Sequence, residues 1–472
     1  MKDQPALNKT HVAVGAALLL LVVVGLNIFY LTSDMRKKTD PSKAVAILND
    51  YELHFKKAAP PHFSLWSHFA LQKGCLTNPA DYAQIYHDLA PWFQNSRRIT
   101  NESVSHIPNT RVVDFYDGNF HNANDFLTVL LDPLRPLFQL NGKNFRFAVN
   151  NYDEPRMLPA DGGFTGRYAD VSDVFSHSAC YRSKYDSIIK DSHTSDGFHL
   201  LFGNASARGQ HGFFQKPDSF TIINGNAPVF SQAKLDCFSD VAIPLSYHIS
   251  IAANGVSDTV PWEHKKPVLF WRGSTTGGNY RTGSPWQLYG RTRLMDWEKK
   301  WAAKFPNSTF DAAYEAPPLE KGVNVDVGFS GFAQTDEQSA ALINATYGIK
   351  GSVNFEKTKQ FKYLLVLDGN TWPSRLQSYL QTNSVILYNG IFTDFFNWNL
   401  VPWVHYVPVK LDFSDLEERL EWLMAHDAEA KAITLNAQKL MQRWSSMKQL
   451  QCYTGFALLE YSNLFEGNTD SG

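Results

Sequence analysis

Three short stretches carry the side chains that could do chemistry. The first runs from Arg272 through Ser274, Thr275, Thr276, Gly277 and Gly278 to Arg281, a set of guanidinium, hydroxyl and backbone N–H donors that suits a diphosphate. The second holds Asp368, Gly369, Asn370 and Thr371, then Arg375, where a predicted helix start and a guanidinium act together on an anion. The third is Asp153-Glu154-Pro155-Arg156, a carboxylate just past the alternating run Phe145–Asn150, placed to take a proton from an attacking hydroxyl. Each stretch also has a plainer reading: arginines in ordinary ion pairs, glycines in turns, and Asp153 or Glu154 paired to Arg156.

Several chemistries are disfavoured. The Arg272 loop lacks the Gly-Lys-Ser/Thr of a Walker sequence and the G-x-G-x-x-G of a dinucleotide site. His193, His199, His211 and His405 show no ligand spacing and read as structural histidines, so no metal site is expected. A formal net charge of -2 leaves no global cationic excess for a nucleic-acid partner, so any anion site must be local.

The elements that must position these residues alternate as α/β domains do. Val268–Trp271 reads as a buried strand, followed by the loop 272–283 and a helix from Ser284, with Ser284 as N-cap, Pro285 at the first position and Gln287 closing a capping box. Trp286, Tyr289, Trp297 and Trp301 would share that helix's apolar face. The second series predicts a strand at 363–367, a loop at 368–374, a helix at 375–381, a strand at 385–388, a short helix at 393–399, a strand at 405–409 and a helix at 414–424, with Ser414 and Glu417 as a second capping box. A doubly wound α/β architecture follows, and its ligands lie beyond the carboxyl ends of the strands, where both donor loops fall.

At 472 residues with 44% hydrophobic content the chain exceeds one core, and two lobes are expected. Residues 12–32 are apolar enough for a transmembrane signal anchor after an 11-residue tail, and the run is longer than a cleaved signal peptide's apolar region. Residues 33–62, ending at Pro60-Pro61, read as a stem. Arg36, Lys37 and Lys38 beyond the anchor, against Lys2 and Lys9 before it, lean away from a lumenal C-terminus, whereas sequons at Asn101, Asn204, Asn307 and Asn344 favour one. Cys75, Cys180, Cys237 and Cys452 allow one or two disulfides of undetermined pairing, or buried thiols.

Taken together, Trp271-Arg272-Gly273-Ser274, Lys362-Tyr363-Leu364 with Leu367-Asp368-Gly369 and Ser374-Arg375, and Pro402-Trp403-Val404-His405-Tyr406-Val407-Pro408-Val409 resemble glycosyltransferase family 90. Asp153-Glu154-Pro155-Arg156, His211-Gly212 and Pro217-Asp218-Ser219-Phe220 are similar to its fungal, xylosyltransferase branch, as is the stretch from Pro60-Pro61 to Cys75. The resemblance implies a GT-B fold, two Rossmann-like lobes facing a cleft: an acceptor lobe at 63–262, a donor lobe at 263–430 and a helical segment, 431–472, packing back on the first. It implies an inverting, metal-independent transfer from a UDP-sugar, xylose favoured over glucose, to a glycan or glycoprotein hydroxyl. The absence of any D-x-D carboxylate pair agrees with metal independence. Asp153 matches the family's base; Arg272, Ser274 and, more loosely, Arg281 match its donor loop; Asp368–Thr371 and Arg375 match its pyrophosphate segment; His211 and Gly212 would line the cleft. The resemblance further implies a type II Golgi or endoplasmic reticulum protein; the chain's last four residues are no retention signal. The alternatives are a UDP-glucose-dependent protein O-glucosyltransferase and a non-catalytic carbohydrate-binding protein of the same fold.

Overall fold

The computed structural model describes residues 40–60, 63–94, 99–158, 166–167, 211, 221–224, 227–235, 238–306 and 323–465. The expected anchor, Gly212, Asn204, Asn307, Cys180 and Cys237 lie outside them. Among the described residues no helix is long and apolar enough to cross a membrane.

The segment expected as a stem contributes a helix to the folded body. Helix α1, Pro41–Phe55, starts on the Asp40 cap and buries Ala44, Ile47 and Tyr51. The Tyr51 hydroxyl donates to Glu460 Oε1 at 2.6 Å, and Lys57 Nζ lies 3.4 Å from Glu460 Oε2. Charged and polar composition misled the reading here, because the apolar stripe of α1 is only three residues wide. Helices α2, Phe63–Lys73, and α3, Ala83–Gln94, complete this layer.

The first sheet joins β1, Thr110–Tyr116, β2, Asn119–His121, β3, Phe145–Asn150, β4, Val229–Ser231, and β5, Val241–Ala242, in the order β2-β1-β3-β4-β5. It is antiparallel at β1 and parallel from β3 to β5. Helix α4, Ser246–Asn254, then leads to the second sheet. That sheet comprises β6, Lys266–Gly273, β7, Asn324–Phe329, β8, Phe361–Leu367, β9, Val385–Asn389, and β10, Val407–Pro408, all parallel in the order β7-β6-β8-β9-β10. Helices α5, Gly290–Lys304, and α6, Glu337–Tyr347, lie in the connections of β6 with β7 and β7 with β8. The C-terminal helices are α7, Leu416–Ala425, α8, Asp427–Trp444, and α9, Met447–Leu464.

A strand buried on both faces needs a continuous apolar run, and β6 supplies it from Val268 to Trp271. Val268 and Phe270 enter one core cluster, while Leu269 and Trp271 enter the other. In β8 a register shift between Phe361 and Tyr363 sends these two residues to opposite clusters. Helix α9 binds the two halves together: its Cys452 carbonyl accepts from Trp66 Nε1 at 3.2 Å, Cys452 is disulfide-bonded to Cys75, and the Tyr461 hydroxyl donates to the Arg146 carbonyl at 2.7 Å.

Both expected capping boxes fail. Ser284 Oγ bonds the carbonyls of Asn279 and Arg281, closing a turn, and α5 begins only at Gly290. Helix α7 begins at Leu416 without a side-chain cap, and Asp415 Oδ1 instead accepts the Lys410 N–H at 3.0 Å. The helix expected at 375–381 is a single turn, Leu376–Tyr379, and the one at 393–399 is a 3-10 turn, Asn397–Asn399. Of the sequons, Asn101 is exposed at the start of a five-residue helix and Asn344 is exposed on α6.

His405 is structural, as its lack of ligand spacing suggests: Nδ1 accepts the Val401 N–H at 2.9 Å, and burial pulls the imidazole pKa down to about 4. The unfolded chain therefore takes up this proton first as pH falls, and the ring's contribution, present above about 6.5, is lost on the way to 4. Replacing His405 by Gln keeps an acceptor that does not titrate. Urea unfolding at pH 7 and pH 4.5 is expected to show the wild type losing about 1–2 kcal/mol more than this variant, after allowance for the ring's partial exposure. Equal losses would refute the assignment.

Candidate active site

Counted in chain order, the second sheet runs 2-1-3-4-5, so its topological switch point lies between the carboxyl ends of β6 and β8. The loops that leave those two ends are the two donor loops, and they touch. The Gly277 N–H donates to Asn370 Oδ1 at 3.1 Å. Gly277 has φ +92°, and a Cβ there would stand 3.0 Å from the Gly369 carbonyl oxygen, so backbone packs on backbone where a side chain would not fit. Gly369 N–H folds back to the Thr371 carbonyl at 2.8 Å, which makes the second loop a tight turn.

Arg291, at the start of α5, joins the loops. Its Nη1 donates to the Ser274 carbonyl at 2.6 Å and its Nε to the Asp368 carbonyl at 3.1 Å. A Cβ on Gly369 would come 3.0 Å from its Nη2, so glycine is what lets the guanidinium sit there. Burial, and after it the charge of Arg375, draws the Arg291 pKa down to about 10. Arg375 reaches the same place from the second loop, with Nη1 donating to the Arg272 carbonyl. Two guanidiniums that repel each other lie beside a helix whose first turn carries no side-chain cap, an arrangement suited to an anion. The cavity behind them, lined by His211, Thr276, Gly277, Arg291, Asp368 and Gly369, is about 20 Å³, room for a water-sized group.

The other expected donor residues take different places. Arg272 is buried, its Nη2 2.6 Å from Asp326 Oδ1 and its Nη1 3.0 Å from the Asp326 carbonyl, which anchors the loop from below. Arg281 is exposed on the turn closed by Ser284, and Arg291 lines the cavity where Arg281 does not. Asp368 is buried, Oδ2 accepting the Ile391 N–H at 2.6 Å with His211 Nε2 at 3.4 Å; burial raises its pKa and His211 opposes the rise. His211 thus lines the cavity, with its ring edge on Phe392.

Asp153 stands at the end of β3, in a loop shaped by Asn150, whose Oδ1 accepts the Tyr152 N–H at 3.0 Å and whose Nδ2 donates to the Glu154 carbonyl at 2.6 Å. Below it Asp240, held up to about 6 by burial, accepts the N–H groups of Arg156 and Met157. Asp153 is exposed, and its Oδ1 accepts from Gln232 Nε2 at 2.7 Å. Two residues on, Lys234 exchanges both backbone hydrogen bonds with Thr393, at 2.8 Å each, just beyond the Ile391 that holds Asp368. The Asp153 loop and the loops at the switch point are therefore tied through one short, hydrogen-bonded path.

Residues 248–470 match the family model described as Glycosyl transferase family 90, a span holding both donor loops, Arg291 and the C-terminal helices. The chain is 28% identical over 251 residues to protein O-glucosyltransferase 1 of Homo sapiens, covering 51% of this chain and 58% of that protein. It is 34% identical over 113 residues to protein O-glucosyltransferase 2 of Danio rerio, covering 24% of this chain and 23% of that protein. It is 26% identical over 263 residues to the O-glucosyltransferase rumi homolog of Aedes aegypti, covering 50% and 56%. The alignments thus span from about a quarter to just over half of these relatives' lengths. Residues 248–470, set in this α/β fold with its paired loops, are thus a glycosyltransferase family 90 domain.

Arg291 is the site residue that sequence reading missed. A cation in the first turn of a helix opposes the dipole, and that misfit is the signal that could have found it. Arg291→Ala is expected to weaken UDP binding at least tenfold by calorimetry, and Arg281→Ala less than threefold. The reverse order would return Arg281 to the donor site.

Proposed function

We propose that the chain is an inverting, metal-independent glycosyltransferase of GT-B architecture that moves a sugar from UDP to a hydroxyl of a glycan or glycoprotein in the secretory pathway. The observation that carries this reading is the Arg291–Arg375 pair at the switch point. A guanidinium pair is suited to a diphosphate leaving group, whose charge grows as the anomeric C–O bond breaks. Asp153 Oδ2 takes the acceptor's proton, the freed oxygen attacks the anomeric carbon from the side opposite UDP, and UDP leaves with the bonding electron pair. An α-linked donor then gives a β-linked product. Arg272 serves as the strut that holds the first loop, and Asp368 with His211 as the wall of the cavity.

Xylose is the donor sugar favoured by the fungal-type motifs. The printed names of the relatives support a second reading, glucose transfer to protein, and the two sugars differ by one hydroxymethyl group, worth about 1–3 kcal/mol in a pocket. The Cys75–Cys452 disulfide suits an oxidising compartment, in keeping with a lumenal domain at the Golgi or endoplasmic reticulum. Among the described residues no three His, Cys, Asp or Glu side chains gather as a metal site requires.

Transfer from UDP-xylose and UDP-glucose, assayed with EDTA present, tests the whole reading. Asp153→Asn is expected to bind UDP as the wild type does and to transfer at least a hundredfold more slowly, with EDTA changing neither enzyme. Undiminished transfer by the variant would remove Asp153 as base, and loss of wild-type transfer in EDTA would remove metal independence.

A further inference from the structure

Beside the carboxylate stands an aromatic ring that the reaction as described does not use. Tyr152 is 40% exposed although it lies in a loop whose next four residues include the buried Glu154, Pro155 and Arg156. Its position is held from two sides. The backbone N–H is tied to Asn150 Oδ1 at 3.0 Å, and the ring lies over the Arg156 guanidinium, 5.2 Å from its centroid. Arg156 is 0% exposed and rigid in turn, with Nη1 donating to the Pro108 carbonyl at 2.6 Å and the Asn109 carbonyl at 3.0 Å. The ring is thus anchored on a buried cation while much of its surface meets solvent, immediately before Asp153 in the chain.

An aromatic ring held in place loses little freedom when a ligand stacks on it, and the ligand that stacks on tyrosine while offering a hydroxyl to a neighbouring carboxylate is a pyranose, with its apolar C–H face and polar rim. A serine or threonine on a folded protein offers the hydroxyl without that face. We propose that Tyr152 is the stacking platform for a sugar ring of the acceptor, which makes the acceptor a glycan; this rests on Asp153 being the base. Tyr152 acts here as a specificity-determining residue. The proton and the bonds are handled as already described, and the ring adds no chemical step.

The test titrates the full chain with pyranose trisaccharides of mannose, glucose, galactose and xylose, following binding by saturation-transfer NMR. In the wild type at least one is expected to bind. Tyr152→Phe should keep that affinity within about threefold, while Tyr152→Ala weakens it about tenfold, with UDP affinity unchanged in both. Binding of none of the four, or equal binding by the alanine variant, overturns the proposal. The two readings separate cleanly. Trisaccharide binding that needs Tyr152 in a chain that binds no UDP keeps the platform and loses the transferase, whereas intact transfer with Tyr152-independent binding does the opposite.

Discussion

One buried guanidinium holds the candidate site together. Arg291 spends hydrogen bonds on the Ser274 carbonyl of one loop and the Asp368 carbonyl of the other, so the loops that leave β6 and β8 cannot part without leaving a buried cation unsatisfied. The glycines follow from this. Gly277 and Gly369 are where the two backbones and the guanidinium approach within a side chain's width. The same charge, drawn down to about 10 by burial, sits beside Arg375, and the cost of keeping two cations close is offset when an anion arrives. Under the proposed reaction, that pair would face the charge that develops on a leaving diphosphate.

The acceptor side depends on a different constraint, the backbone pairing of Lys234 with Thr393 across the lobe junction. Lys234 also places its ammonium 2.9 Å from the buried Asp88, whose other oxygen accepts the Ala242 N–H at 2.9 Å. That network fixes the segment after β4 that carries Gln232, and Gln232 fixes Asp153. The Asp153 carboxylate is thus exposed and still positioned, as the proposed base role requires.

Much of the second sheet was legible because strands buried on both faces leave continuous apolar runs. Val268–Trp271 and Tyr363–Leu367 fall within the observed strands, and loop residues at their ends fall at the switch point. Helix starts were legible in residue type but not in place. Ser284 has the right chemistry for a cap and spends it on the carbonyls of Asn279 and Arg281, since the loop's closure competes for the same hydroxyl. The helix in the expected stem escaped the reading because Tyr51 finds its partner Glu460 in α9, about four hundred residues away in the chain. The resemblance gives Arg281 a loose place in the donor loop, and only the fold shows that the turn closed by Ser284 carries Arg281 away from the cavity while α5 brings Arg291 into it.

The most direct test of this account is a crystal structure of the full chain with UDP, grown in the presence of EDTA. The account places the diphosphate at the carboxyl ends of β6 and β8, with its oxygens within hydrogen-bonding distance of the Arg291 and Arg375 guanidiniums and no metal between them. A nucleotide bound elsewhere on the chain, or one whose phosphates leave both arginines untouched, would contradict it.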